Sequence, residues 1–175
     1  NVPAGTYSDV LTITWVYRFC YVGLDLLGIK ICIPNNGTLV STVNVSVRVT
    51  NFCYIDSAPD VEFAPAALPS GFSSYSGQLA IRCTKNAAYT VNLASTNASV
   101  GDWRQMSQPI ANQPTAFLQY QFYQPNGSAW TENNNLSVTG SGAAQSASYT
   151  LKINPNQSNQ PAGTYSDTVL VTVSY

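Results

Sequence analysis

Residues 161–175 read P-A-G-T-Y-S-D-T-V-L-V-T-V-S-Y, and they end in a run that carries apolar side chains at alternate positions. Successive side chains of a β-strand point to opposite faces, so this spacing is typical of a strand with one buried face. The buried row would consist of Val169, Val171, Val173 and Tyr175. The stretch therefore predicts a β-strand that reaches the final residue of the chain.

Alternation of the same kind recurs in five earlier segments, at residues 43–50, 79–83, 89–93, 118–122 and 149–153. Clusters of Pro, Asn, Gly and Ser separate these segments, as expected of turns. The pattern predicts an all-β fold, an antiparallel β-sandwich of immunoglobulin-like type. Counting from residue 41 gives six strands. We therefore expect an incomplete sandwich that lacks its seventh (G) strand, so that the edge of its last strand needs a partner.

An internal repeat predicts the domain organisation. The residues P-A-G-T-Y-S-D occupy positions 3–9 and again positions 161–167, each time before a β-branched strand. If the second copy opens the last strand of one sandwich, the first copy is expected to do so in an earlier one. The sequence thus predicts that residues 1–33 are the C-terminal hairpin of an upstream domain, that residues 34–40 are a linker, and that residues 41–175 form the second domain.

The four cysteines, Cys20, Cys32, Cys53 and Cys83, predict disulfides. They form no C-x-x-C pair, and the chain has no histidine, so a zinc site is disfavoured. Two disulfides would indicate an oxidising compartment. Three connectivities are possible, of which Cys20–Cys32 with Cys53–Cys83 keeps each pair on one piece of structure.

Composition disfavours several functional classes. Charged residues make up 9% of the chain and the net charge is −1, which offers no attraction for nucleic acid. Without histidine, general-base catalysis would depend on carboxylates. The closest group, Asp56, Asp60 and Glu62, flanks Pro59 and is interpreted as a polar turn rather than a catalytic pair or a Ca²⁺ site. We therefore predict no enzyme activity, no catalytic residue, no metal and no cofactor.

Four segments resemble a known family. The ending at residues 161–175 resembles the C-terminal strand of spore coat U-type subunits of archaic, Csu-like chaperone–usher pili. Residues 43–55 resemble the family's first strand with its first cysteine, and residues 79–83 resemble the second strand with its cysteine. Residues 149–153 resemble the penultimate strand. The resemblance covers residues 41–175, and it reaches residues 1–17 through the repeat.

The resemblance implies a function in which the missing strand is supplied by other proteins. A periplasmic chaperone would fill the cleft first, and the N-terminal donor strand of the next subunit would replace it at the outer-membrane usher. The protein would then lie in the periplasm during assembly and in a surface pilus of a Gram-negative bacterium afterwards. The residues expected to line the acceptor cleft are Val43, Val45, Val47, Val49, Tyr165, Val169, Val171, Val173 and Tyr175.

The tail that precedes the second domain resembles the two-domain tip adhesin of such pili, so the chain is expected to anchor an adhesin domain to the fibre. A shaft pilin is the alternative, in which Val10 to Tyr17 would act as a donor strand. A further alternative is a secreted carbohydrate-binding sandwich, with Trp103 or Trp130 stacking on sugar rings. The apolar group at residues 19–27 is interpreted as upstream-domain core rather than as an adhesive patch.

Overall fold

In the computed structural model, the backbone is described for residues 1–175, and the side chains are described for all residues except 21–26 and 30–33. The chain divides into two compact units. One is Gly5–Val49, and the other comprises Asn1–Ala4 and Thr50–Tyr175. No helix in the described part of the chain is long and apolar enough to cross a membrane.

The first unit is a long β-hairpin. Strands β1 (Gly5–Leu26) and β2 (Ile29–Val49) run antiparallel, with Gly5 opposite Val49 at one end and Leu26 opposite Ile29 at the other. Between them, Leu27 and Gly28 have φ angles of 59° and 81°. Positive φ at both central residues is the geometry of the two-residue turns that match the twist of a hairpin. The repeat's first copy therefore begins a strand that pairs with residues of the same unit.

The hairpin is longer than the sequence predicted. Strand β2 continues through residues 34–40, where a linker was expected, and through the valine-rich segment assigned to the second domain. Pro34 and the Asn-Asn-Gly that follows are turn-forming residues, but their pairing with β1 continues without a break from Cys20–Pro34 to Tyr17–Gly37. At residues 34–37, strand pairing across the hairpin therefore outweighs the local preference of these residues for a turn. That residues 1–33 belong to an upstream domain stays a prediction.

The second unit is a β-sandwich, which confirms the predicted fold class. Its strands are β3 (Cys53–Ser57), β4 (Tyr75–Cys83), β5 (Ala88–Ser95), β6 (Arg104–Gln108), β7 (Ala116–Tyr123), β8 (Leu136–Thr139), β9 (Ala144–Ile153) and β10 (Val169–Ser174), with a short 3-10 turn at Pro69–Gly71. One sheet has the order β3-β4-β9-β7-β6 and the other the order β10-β5-β8. All neighbouring strands are antiparallel.

The predicted alternating rows form the core between the sheets. Four strands contribute most of it: Leu79, Ile81 and Cys83 on β4; Tyr89, Val91 and Leu93 on β5; Leu118, Tyr120 and Phe122 on β7; and Tyr149, Leu151 and Ile153 on β9. Burying each large apolar side chain contributes about 1.5–3 kcal/mol. Trp130 is fully buried, and its indole N–H donates to the Val91 carbonyl across 3.0 Å. Trp130 is therefore a packing anchor and presents no face to a sugar.

A disulfide links the edge of one sheet. Cys53 on β3 lies directly opposite Cys83 on β4, and the two are bonded with their Cα atoms 4.1 Å apart. This confirms one of the predicted pairs. The other, Cys20–Cys32, involves a side chain outside the described residues. Within the described part of the chain, no group of three or more His, Cys, Asp or Glu side chains is arranged to hold a metal ion.

A candidate strand-binding cleft

Strand β10 is an edge strand with one side open. It pairs with β5 from Val169–Ser95 to Ser174–Thr90, and none of the strands in the described structure pairs with its other side. The Thr96 N–H donates to the Thr168 carbonyl, so the polar groups of Thr168 point toward β5. Since backbone polar groups alternate in direction along an antiparallel strand, those of Val169, Val171 and Val173 point to the open side. This edge therefore presents a ladder of donors and acceptors.

The side chains of β10 divide between two faces. Val169, Val171 and Val173 are half-buried and pack against the core, whereas Leu170 is 63% exposed. In the structure, these three residues of the predicted apolar row therefore face the core. The three valines are less buried than the rows on β4, β5 and β9.

A cleft of about 260 Å³ lies beside this row. The C-terminal segment contributes Tyr165, Val169 and Val171 to its wall, and the segment that follows β3 contributes Pro59, Val61 and Phe63. Its remaining apolar lining comes from core residues of both sheets, among them Leu79, Leu93, Phe122 and Leu151. An apolar cleft next to an open strand edge can take up alternate side chains of an extended segment while the edge binds its backbone.

The other four predicted lining residues belong to the hairpin unit. Val43, Val45, Val47 and Val49 are on β2, in the hairpin unit, opposite Leu11, Asp9, Tyr7 and Gly5 respectively. Residues directly opposite each other in a strand pair share a face. The structure therefore brings the valine row beside the strand that begins with the first copy of the repeat. Of the nine predicted residues, the sandwich itself holds the five on the C-terminal segment.

Tyr175, the last of these five, is 52% exposed. Its ring centroid lies 5.8 Å from that of Phe52, just before β3. The last residue of the chain is therefore close to the beginning of the other sheet's edge strand. A strand added beside β10 would reach this point at one of its ends.

The carboxylate of Asp167, which sequence reasoning missed, is a hub where the chain enters β10. It accepts hydrogen bonds from the Thr96 hydroxyl and the Asn97 side-chain amide, each across 3.0 Å, and from the Ser95 hydroxyl. The Tyr120 hydroxyl on β7 also donates to it, across 2.5 Å. The carboxylate thus joins the start of β10 to the end of β5 and to the opposite sheet. The sequence offered one signal for this residue, since the same aspartate recurs as Asp9 in the first copy of the repeat.

Burial shifts the pKa of two side chains near this carboxylate, Tyr120 and Arg104. Tyr120 is 2% exposed, and burial together with its hydrogen bond to Asp167 raises the pKa of its hydroxyl well above the ordinary value. Tyr120 therefore remains a donor. Arg104 is equally buried, and desolvation lowers the pKa of its guanidinium. One of its nitrogens donates to the carbonyls of Leu93 (2.6 Å) and Trp130 (2.9 Å), which ties β6 to the other sheet.

The second copy of the repeat connects the two sheets. The backbone of Ser166 exchanges two hydrogen bonds with that of Ser107 on β6, at 2.8 and 3.1 Å. Next to this bridge, the Tyr165 hydroxyl donates to the Pro161 carbonyl across 2.7 Å. Gly163 lies against the Gln108 side-chain amide, where a Cβ atom would collide with it. The motif therefore closes one end of the sandwich before the chain enters β10.

The first copy of the repeat has a different environment. Gly5 to Asp9 belong to β1, and the Asp9 carboxylate accepts a hydrogen bond from the neighbouring Val10 N–H across 2.8 Å. Tyr7 lies opposite Val47 of β2. The same seven residues thus precede or begin two different strands. Strand β1 pairs with the strand that follows it, whereas β10 is paired on one side only.

Comparison with known proteins gives the same family as the sequence motifs. Residues 39–172 match the Spore Coat Protein U domain. No curated protein sequence matches the chain. The family resemblance carried by the C-terminal strand and the cysteine-containing strands is therefore confirmed.

Two solved structures match the chain. One is the CsuC–CsuE chaperone–tip adhesion subunit pre-assembly complex from archaic chaperone–usher Csu pili of Acinetobacter baumannii, at 25% identity and a TM-score of 0.59. The match covers 99% of this chain and 60% of that one, so this chain spans about three fifths of its relative's length. The other is a chaperone–tip adhesin complex of CFA/I fimbriae, at 12% identity and a TM-score of 0.44, covering 98% and 52% of the two chains.

Proposed function

The chain belongs to the Spore Coat Protein U domain family, and from this premise we propose that it is a structural subunit of a chaperone–usher pilus. Its β-sandwich is completed by a strand that a partner adds beside β10. The observation that carries this proposal is the open side of β10, next to an apolar cleft. The subunit's role is mechanical: it links neighbours through strand addition and carries out no reaction.

The energetics of the edge support strand addition. Three residues on β10 direct backbone donors and acceptors outward, and an added strand would satisfy them with main-chain hydrogen bonds. The same strand would cover Val169, Val171 and Val173, which are only half-buried. Full burial of a valine side chain contributes about 1.5–3 kcal/mol. Because each of these valines is already half-buried, covering it with the added strand contributes part of that free energy. Backbone pairing supplies affinity, and the cleft supplies specificity.

The partners follow from the order of assembly. A periplasmic chaperone inserts its strand first, and the N-terminal donor strand of the next subunit replaces it at the outer-membrane usher. The relative with 25% identity supports the first step, since its structure is a complex with a chaperone. The Cys53–Cys83 disulfide fits the oxidising periplasm and the later location on the cell surface.

Within the pilus, the chain acts at the tip. The sandwich is preceded by a hairpin that carries another copy of the motif, which supports the proposal that this hairpin belongs to an adhesin domain. The similar structure is a tip adhesion subunit and is longer than this chain. In a shaft subunit, Val10 to Tyr17 would instead occupy the cleft of a neighbour. Finding these residues inserted in another subunit would assign the chain to the shaft.

Capture by the chaperone tests the proposal. Val171→Pro removes an N–H that points to the open side, while the β5-facing ladder at Leu170 and Thr172 is kept. The matched control, Val171→Ala, shortens the same side chain and retains the N–H. Co-expressed in the periplasm with the cognate chaperone, the Ala variant should co-purify as a one-to-one complex and the Pro variant should not. A chain that is monomeric, fully folded and unable to bind the chaperone would refute the proposal.

A further inference from the structure

Two adjoining grooves lie on the outer face of the five-stranded sheet, the face turned away from the core. The first measures about 420 Å³, and Tyr123 and Lys152 in its lining alternate along β7 and β9 with residues of the core. The second measures about 410 Å³ and shares Asn154 and Asn156 with the first. Volumes of about 300–1,000 Å³ are typical of ligand sites. Neither groove shares a lining residue with the cleft beside β10.

A tight turn holds Trp103 in the wall of the first groove. Val100 and Trp103 exchange two backbone hydrogen bonds, at 2.8 and 3.1 Å, and Gly101 between them has a φ of 59°. The Gln121 side-chain amide donates to the Asp102 carbonyl, which ties the turn to β7. Trp103 is partly exposed, in contrast to the buried tryptophan of the core. An indole fixed in this way can stack on the apolar C–H face of a pyranose ring.

Lys152 is the one charged residue among the described residues that line the two grooves. Its side chain is exposed, and its ammonium nitrogen lies 5.1 Å from the centroid of the Tyr123 ring. This cation–π contact holds the ammonium beside the groove. Within the described part of the chain, no carboxylate forms an ion pair with it. The ammonium is therefore available to a carboxylate on a ligand, and this charge favours an anionic ligand over a neutral one.

The rest of the lining is rich in side-chain amides. Asn154 is fixed to Gln119, since its backbone N–H donates to the Gln119 carbonyl at 2.9 Å and its side-chain amide donates to the Gln119 side-chain oxygen at 2.7 Å. The Gln157 amide donates to the backbone carbonyls of both residues. In the described structure, the side-chain amides of Asn156 and Gln105 have no hydrogen-bond partner. Each offers two donors and an acceptor, which sugar hydroxyls can pair with.

The aliphatic residues in the lining are buried, among them Ile153, Ala116 and Pro69. Apart from Pro155, the exposed lining is aromatic, amide, hydroxyl or ammonium. The centre of a protein–protein interface is more apolar than this. The exposed groups therefore suit a ligand that carries many hydroxyl groups.

We propose that these grooves bind an acidic oligosaccharide, one that contains uronic acid. The Trp103 indole stacks on a pyranose ring, the Lys152 ammonium binds a uronate carboxylate, and the amides of Asn156 and Gln105 bind hydroxyl groups. The site lies on the other sheet from β10, so it adds to the proposed pilus role a direct contact between this domain and a polysaccharide.

Titration of the full-length chain with defined oligosaccharides tests the inference. The probes are hexasaccharides of galacturonate and of mannuronate, and the matched uncharged ligand is the fully methyl-esterified galacturonate hexasaccharide. Calorimetry and tryptophan fluorescence report binding. The expected result is saturable binding of at least one acid, which weakens at high salt because the exposed charge pair is screened. Binding of neither acid would overturn the inference, as would equal affinity for galacturonate and its methyl ester.

Variants of the chain locate the ligand. Lys152→Gln should weaken binding of the acid about two- to fivefold, as expected for an exposed ion pair, and should not change binding of the ester. Trp103→Ala should weaken binding of both about tenfold. Trp103→Phe retains a ring at this position and should bind more tightly than the Ala variant. Lys85→Gln, at an exposed turn outside the grooves, is the matched control and should bind as the parent does.

Urea unfolding verifies that each variant is folded. Equal effects of Lys152→Gln and Lys85→Gln would contradict the inference, because the charge would then act without a defined site.

Chaperone capture separates this inference from the proposed function. If the chaperone captures the parent chain but neither acid binds, the oligosaccharide site fails while the pilus role stands. If an acid binds in the grooves but the chaperone does not capture the chain, the proposed function fails and this inference stands. If neither acid binds and the folded Lys152→Gln chain is no longer captured, the grooves are a protein-contact surface, which would also overturn the inference.

Discussion

The Tyr120 hydroxyl donates a hydrogen bond to the Asp167 carboxylate across 2.5 Å, and this contact joins β7 of one sheet to the entrance of β10 in the other. The same carboxylate accepts bonds from Ser95, Thr96 and Asn97 at the end of β5. The start of β10 is therefore fixed by one anionic side chain on the side away from the open edge. This contact fixes the start of the strand whose Val169 and Val171 line the cleft.

Replacing the hub carboxylate should destabilise the sandwich. Asp167→Asn keeps the size of the side chain but removes the charge that strengthens four hydrogen bonds. Since bonds to charged groups contribute about 1.5–3 kcal/mol each and the amide retains some of them, the free energy of unfolding should fall by about 2–4 kcal/mol. Urea unfolding, followed by the fluorescence of the buried Trp130, measures it. Asp102→Asn, at an exposed turn, is the matched control and should leave stability unchanged.

The Tyr120–Asp167 contact should show energetic coupling. Tyr120→Phe removes the hydroxyl and leaves the ring in the core, so its cost alone should be about 1–2 kcal/mol. If the hydroxyl acts through Asp167, the double variant with Asp167→Asn should lose less stability than the sum of the two single variants. A double-mutant cycle by urea unfolding checks this. Strict additivity would show that the tyrosine acts through other contacts.

Alkaline pH should weaken the fold through its buried tyrosines. Burial raises the pKa of Tyr120 above its unfolded value of 10.0, and it also raises the pKa of Tyr89 and Tyr149. Below the unfolded value both states are protonated and stability is unaffected. Above it, the unfolded state loses protons that the folded state retains, so the free energy of unfolding falls as pH rises. Tyr120→Phe should reduce the slope above pH 10, and an unchanged slope would contradict this assignment.

Removing the Cys53–Cys83 disulfide should cost stability at the edge of the larger sheet. The bond closes a segment with a sequence separation of 30 residues. By loop-closure entropy, Cys53→Ser with Cys83→Ala should lower the free energy of unfolding by about 3–4 kcal/mol. Urea unfolding of the oxidised parent and the double variant gives the difference. A loss below about 1 kcal/mol would mean that β3 and β4 are held together by pairing alone.

The long alternating strands were predictable from the sequence, because packing and local pattern agree in them. The rows on β4, β5, β7 and β9 each place a residue on the core at every second position, and each was predicted. Strands β3, β6 and β8, of five, five and four residues, were not identified because so few alternations do not stand out from loops. The sequence prediction divided strand β2 by a linker at residues 34–40, where the turn-forming residues conflict with pairing to β1.

The candidate site was predictable only in part. The inward row of β10 follows from its spacing, whereas its half-buried state accompanies the unpaired side of the strand. The Asp167 hub depends on contacts with residues 47 to 72 positions away, which no local pattern encodes. The valine row pairs with β1, and its predicted place in the acceptor cleft stays a prediction.

Residue-resolved hydrogen exchange along β10 tests most directly the central claim that this strand has an open side awaiting a partner. In the chain alone, the amides of Leu170, Thr172 and Ser174, which face β5, should be protected, whereas those of Val169, Val171 and Val173 should exchange rapidly. In the chaperone complex both sets should be protected. Protection of Val169, Val171 and Val173 in the chain alone, at the level of their neighbours, would contradict the account.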